Sequence, residues 1–152
     1  MTAPVSSRDW AEAARRVLRG QGHRAGAARA AVIEVLSQAD CCLTAQEIWD
    51  AIRGRGEAVG IASVYRTLDL LQERGLVQKI ELGAGRAHYE AIRPEAHHHH
   101  LVCDECGRVD AFEDDALETT LQRVERESDY VVARHDVLLR GTCDDCRPAL
   151  SG

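Results

Sequence analysis

Apolar residues recur at helical spacing through the first half of the chain, then switch to alternation, which predicts helices followed by a hairpin. Trp10, Ala13, Ala14, Val17 and Leu18 mark a first helix that ends at Gly20-Gln21-Gly22. A second runs from about Ala27 to Ser37, with Val32, Ile33, Val35 and Leu36 inward. The third opens on a capping box, in which Thr44 takes the Glu47 amide while the Glu47 side chain reaches back. Its stripe is Ile48, Trp49 and Ile52, and Gly54 and Gly56 mark its end. A fourth helix, from about Ile61 to Arg74, sets Val64, Leu68 and Leu71 on one face and stops at Gly75. Alternation in Val77, Lys79, Glu81 and in Arg86, His88, Glu90 flanks Gly83-Ala84-Gly85 as a hairpin would.

Three helices, a fourth with a small exposed face, and a hairpin are the order of a winged helix-turn-helix, predicted over residues 1–91. Pro94 makes 92–96 a candidate hinge. The remainder, 97–152, predicts short strands at His99–Val102, Val109–Phe112 and Val131–Leu139 around one helix from about Asp115 to Ser128. A piece this small is short of core and needs a staple or a partner. The fold class is therefore α+β: a winged-helix domain plus a small C-terminal α/β dimerisation domain.

Composition changes the picture in two ways. With 45% hydrophobic residues and no long apolar stretch, the chain is expected to be globular and not membrane-spanning. Its start carries no signal-peptide pattern, so a cytoplasmic location is expected. The formal charge of −6 argues against non-specific coating of nucleic acid. That charge is uneven. Residues 1–85 hold 11 Lys/Arg against 10 Asp/Glu, and residues 86–152 hold 8 against 15. The near-neutral half is free to approach a polyanion, and the acidic, His- and Cys-rich half suits cations.

In a reducing compartment six cysteines point to metal or redox chemistry and away from disulfides. Cys103-x-x-Cys106 and Cys143-x-x-Cys146 offer four thiolates as two tight pairs, which suits a closed tetrahedral structural Zn2+ site, a redox dithiol being the alternative. The run His97–His100 precedes the first pair. On an extended strand His97 and His99 share one side and His98 and His100 the other, so one run can feed two sites. Candidate partners are Glu118, His135, Glu90 and Cys42. Cys41 is expected to pack in the core.

Thr44-Ala45-Gln46-Glu47-Ile48, Gly60-Ile61-Ala62-Ser63-Val64-Tyr65-Arg66-Thr67-Leu68, the run from His97 to Cys103-x-x-Cys106-Gly107, and Gly141-Thr142-Cys143-x-x-Cys146 carry a specific likeness. Through them the chain resembles the ferric uptake regulator family of iron, zinc, manganese, nickel and peroxide sensors, from about residue 10 to residue 147. The resemblance implies structural zinc on the four cysteines and a dimerisation-domain site on His97, His99, Glu118 and His135. It implies a hinge-spanning regulatory site on Cys42, Glu90, His98 and His100, with Zn2+ or Fe2+ as the regulatory ion. Cys42 stands where iron sensors usually place histidine; soft sulfur there favours zinc sensing. His88 shares the face of Glu90 and is a competing ligand.

The DNA-reading face is expected at Ser63, Tyr65, Arg66 and Thr67, helped by Arg24 and Arg29. Gly26 departs from the family, whose members usually carry threonine there, and removes a cap. The implied function is non-enzymatic: a metal-loaded homodimer that binds operator DNA and silences metal-uptake genes, with no membrane or small-molecule substrate. Iron, manganese or peroxide sensing is the alternative within the family. A metal-buffering protein that no longer binds DNA and a zinc-dependent hydrolase are more distant ones.

Overall fold

The computed structural model describes residues 7–20, 26–83, 85–93 and 97–148. Helix α1 (Ser7–Gly20) buries Trp10, Ala11, Ala14 and Leu18 at helical spacing, and Val17 is only half-buried. The Trp10 indole is held by its N–H donating to the Leu76 carbonyl at 3.1 Å, so this large side chain packs without losing a hydrogen bond. Helix α2 (Ala27–Gln38) begins at Gly26, which has no side chain to cap it, and turns Val32, Ile33, Val35 and Leu36 inward. Strand β1 (Leu43–Thr44) leads into α3 (Ala45–Gly54), whose capping box is complete. The Glu47 amide donates to Thr44 Oγ1 at 3.2 Å and the Thr44 amide donates to Glu47 at 2.7 Å. Helix α4 (Ile61–Glu73) packs Val64, Leu68 and Leu71 into the same core.

Strands β2 (Val77–Glu81) and β3 (Ala87–Ala91) form the expected hairpin, with Gly83 and Gly85 at positive φ. Its third strand was not legible: β1 pairs antiparallel with β3, giving the order β1-β3-β2. Two residues are too few to show any alternation. Arg93, past β3, donates to the Leu36 and Ser37 carbonyls at 3.1 and 2.9 Å, satisfying acceptors that the end of α2 leaves open.

The chain divides into two compact units, Met1–Ala96 and His97–Gly152. In the second, β4 (His99–Cys103) is central, antiparallel to β5 (Val109–Phe112) and parallel to β6 (Leu138–Gly141). Helix α5 (Asp115–Glu127) is capped by Asp114, which accepts from the Leu117 amide at 2.7 Å. The strand predicted over Val131–Leu139 is shorter: pairing with β4 begins only at Leu138. A strand needs a neighbour for its backbone groups, and β4 has β5 along its other edge. Val131 is 101% exposed and Tyr130 81%. No residue of α5 is buried. No helix among the described residues is long and apolar enough to cross a membrane.

Candidate metal centres and DNA-reading helix

The four sulfurs of Cys103, Cys106, Cys143 and Cys146 lie within 4.8 Å of one another. Two tight turns produce this. The Gly107 amide donates to the Cys103 carbonyl at 2.9 Å, with Gly107 at φ 76°, and the Cys146 amide donates to the Cys143 carbonyl at 3.1 Å. The Cys143 amide donates to Cys103 Sγ at 3.3 Å. That amide, followed by the one at Cys106, lowers the Cys103 pKa to about 6, which favours the thiolate form. Hydrogen bonding with Cys106 and Cys143, then burial, pushes Cys146 up to about 12. A tetrahedron of ~2.3 Å zinc–sulfur bonds sets sulfurs about 3.8 Å apart. Cys106 and Cys143 are 3.8 Å apart. The donor set fits a closed zinc site, and an ion would draw off the proton that Cys146 holds.

A second cluster joins His97, His99, Glu118 and His135. Buried His99 on β4 sends Nε2 to Glu118 Oε1 at 2.6 Å, and His97 Nε2 lies 3.4 Å from the same oxygen. His135, on the stretch before β6, places Nε2 3.1 Å from Glu118 Oε2. Burial works to raise the Glu118 pKa, but the His99 hydrogen bond and the charges of His97 and His135 outweigh it and hold the carboxyl below its ordinary value. Three imidazole nitrogens converge on one carboxylate, the mixed N/O set that suits a first-row divalent ion. The rings of His98 and His100 form their own pair, with centroids 5.1 Å apart. The alternation of the run is thus realised.

In the first unit the two adjacent thiols are reversed from expectation. Cys42 is the buried one and Cys41 is half-buried, their sulfurs 3.8 Å apart. Contact with Cys41, then burial, raises the Cys42 pKa, and Glu90 adds to it. Burial, not charge, is what sets Cys42 apart from its neighbour. The Cys41 sulfur and a Glu90 carboxylate oxygen lie within 4.8 Å of one another. His88 and Glu90 share one face of β3, and both are buried.

On α4, Tyr65 is 48% exposed and Arg66 is exposed, its guanidinium donating to Ser63 Oγ at 3.1 Å. Thr67 corrects the sequence reading. It is buried and its hydroxyl donates to the Ser63 carbonyl at 2.8 Å, so it presents nothing outward. Arg29 is half-buried on α2, and Arg24 lies outside the described residues.

Residues 20–140 match the ferric uptake regulator family. The chain belongs to that family. It is 40% identical over 107 residues to the ferric uptake regulation protein of Bacillus subtilis, covering 68% of this chain and 71% of that one. To the protein of the same name from Vibrio parahaemolyticus it is 31% identical over 129 residues, covering 84% and 86%. The Helicobacter pylori ferric uptake regulator, described as having three functional metal binding sites, superposes with a TM-score of 0.82 at 25% identity, covering 99% and 100%.

Ferric uptake regulators are metal-responsive, DNA-binding, dimeric transcription regulators and not enzymes, which sets the hydrolase reading aside. The fold follows theirs, a DNA-binding domain followed by a dimerisation domain. Two residues near the donors escaped the sequence reading. Cys41 was expected in the core and is half-buried, because adjacent positions carry no sign of which faces inward. Glu125 was hidden because seven acidic residues lie within residues 113–129, and only the fold selects the one beside His135.

Proposed function

We propose that the chain is a zinc-responsive repressor that grips operator DNA as a metal-loaded homodimer and silences metal-uptake genes. The observation that carries the reading is the convergence of His97, His99 and His135 on Glu118 beside a separate four-thiol cluster. Four thiolates make a staple and leave no open position; three imidazoles and a carboxylate make a set that exchanges ions. The first is read as structural Zn2+ and the second as regulatory.

A further regulatory ion is read at the hinge, taken by Glu90 and a thiol of the 41–42 pair from the first unit and by His98 and His100 from the second. Cys41 is read as the thiol because its half-buried sulfur lies within 4.8 Å of a Glu90 carboxylate oxygen, whereas Cys42 is buried. An ion there binds the DNA-competent arrangement better than any other. Metal and DNA therefore raise each other's affinity by one coupling factor, typically about 5–150-fold. The DNA contacts are Tyr65 and Arg66 on bases and backbone, joined by Ser63, Arg29 and Arg24. Homodimerisation is supported by the uncovered apolar side chains of the second unit, among them Val124, Tyr130, Val131 and Leu139. The cytoplasm follows from a DNA partner and from cysteines kept as thiols.

Iron is the second reading, because the relatives named above are ferric uptake regulation proteins. DNA binding measured against buffered free Zn2+ and free Fe2+, with the four-cysteine zinc retained, separates the two. Affinity that climbs with Zn2+ supports the proposal. A response to Fe2+ at far lower occupancy reverses the choice of metal, and operator binding unaffected by either ion removes metal control altogether.

A further inference from the structure

His135 is held from both sides. Glu118 and Glu125 stand seven residues apart on α5, about two helical turns, so both carboxylates point from one face. The His135 ring lies across them. Its Nε2 is 3.1 Å from Glu118 Oε2 and its Nδ1 is 2.6 Å from Glu125 Oε1. Nε2 is the nitrogen that meets Glu118, as do the Nε2 atoms of His97 and His99, and Glu125 is not among the four clustered donors.

An imidazole that gives one lone pair to an ion carries its proton on the other nitrogen, and an acceptor at that proton fixes the tautomer and raises ligand basicity. We infer that Glu125 is a positioning residue for this site: it takes the Nδ1 proton of His135, aims the Nε2 lone pair at the ion and sets the affinity without being a ligand. His99 has no equivalent, because its Nδ1 accepts from the Val137 amide at 3.2 Å. The carboxylate effect therefore falls on His135. Glu125 is 30% exposed and His135 23%, so the pair is partly shielded from solvent.

The inference rests on reading the cluster as a metal site, and the test separates the two. Full-length protein with Zn2+ on its four cysteines is titrated with Co2+ against a competing chelator. The ligand-field bands removed by His135→Ala define this site. Glu125→Ala is expected to weaken that component by about 10–100-fold with the metal-free circular dichroism unchanged. Glu125→Gln, whose amide oxygen still accepts from Nδ1, is expected to recover part of the loss. Nitrogen NMR of the loaded wild type is expected to find His135 protonated at Nδ1. If Glu125→Ala binds Co2+ as tightly as wild type while His135→Ala does not, Glu125 has no such role. If His135→Ala also binds like wild type, the site reading fails and the inference falls with it.

Discussion

At the scale of single residues, the two adjacent cysteines show how burial decides chemistry. Both are thiols at adjacent positions, yet Cys42 is packed while Cys41 is half-buried with its sulfur near Glu90. Cys41→Ser is expected to lower the Zn2+ sensitivity of DNA binding, read as a shift of the half-saturating free Zn2+ upward. Cys42→Ser should leave that midpoint in place and lower the melting temperature, since a hydroxyl is buried where a sulfur packed. The reverse pattern would return Cys42 to the site.

Protonation acts on the second cluster in a defined direction. In the metal-free protein the raised His135 pKa adds stability below the ordinary imidazole value, and that stability is lost as pH rises through the raised one. The lowered Glu118 pKa adds stability above the ordinary carboxylate value, lost as pH falls through the lowered one. The metal-free ion pair is therefore strongest between those limits. An ion must displace the His135 proton, so affinity at this site should climb with pH through the raised His135 pKa and level off above it. Affinity independent of pH between about 6 and 8 would show that no imidazole proton is exchanged.

At the scale of elements, helix and hairpin boundaries were legible because they rest on local chemistry. The Thr44–Glu47 box, the stripe of α4 and the glycines of the hairpin each act within a few residues. Misreadings arose where the deciding partner is distant. β1 exists only because β3 lies beside it, and Val131–Asp136 belongs to no strand among the described residues, the first backbone bond to β4 being from His100 to the Val137 carbonyl. Thr67 was read as outward from its place beside Arg66, yet the helix rotation that buries Val64, Leu68 and Leu71 carries it inward as well. Those contacts also hold the helix in place. Leu71 is completely buried, and Leu71→Ala should cost about 2–5 kcal/mol by leaving a cavity, measured by denaturant unfolding. A loss under about 1 kcal/mol would mean that the site collapses around the smaller side chain.

At the scale of the whole molecule, the two units differ in what holds them together. The first has a continuous apolar core from Trp10 to Tyr89. The second buries little beyond β4 and leaves Tyr130, Val131 and Leu139 uncovered. Zinc on the four cysteines and a second subunit are the two supports such a unit can draw on. Val131→Asp is expected to shift the protein toward monomer in analytical ultracentrifugation and to abolish operator binding, with zinc content unchanged. A dimer of wild-type strength would place the interface elsewhere. The ligand pattern was legible because alternation along an extended chain is a property of the backbone; which carboxylate meets which face came only through the family resemblance, because helix α5 decides it.

Strand β4 has a consequence for how metal preference can change. Four identical side chains in a row, two just before β4 and two on it, supply each face with the same two imidazoles, so the run itself cannot tell the faces apart. Any difference in ion choice must be written on what each face meets, which for His97 and His99 is Glu118, His135 and the carboxylate behind it. Descendants of such a gene could retune one sensor without editing the other, leaving the shared histidine tract untouched.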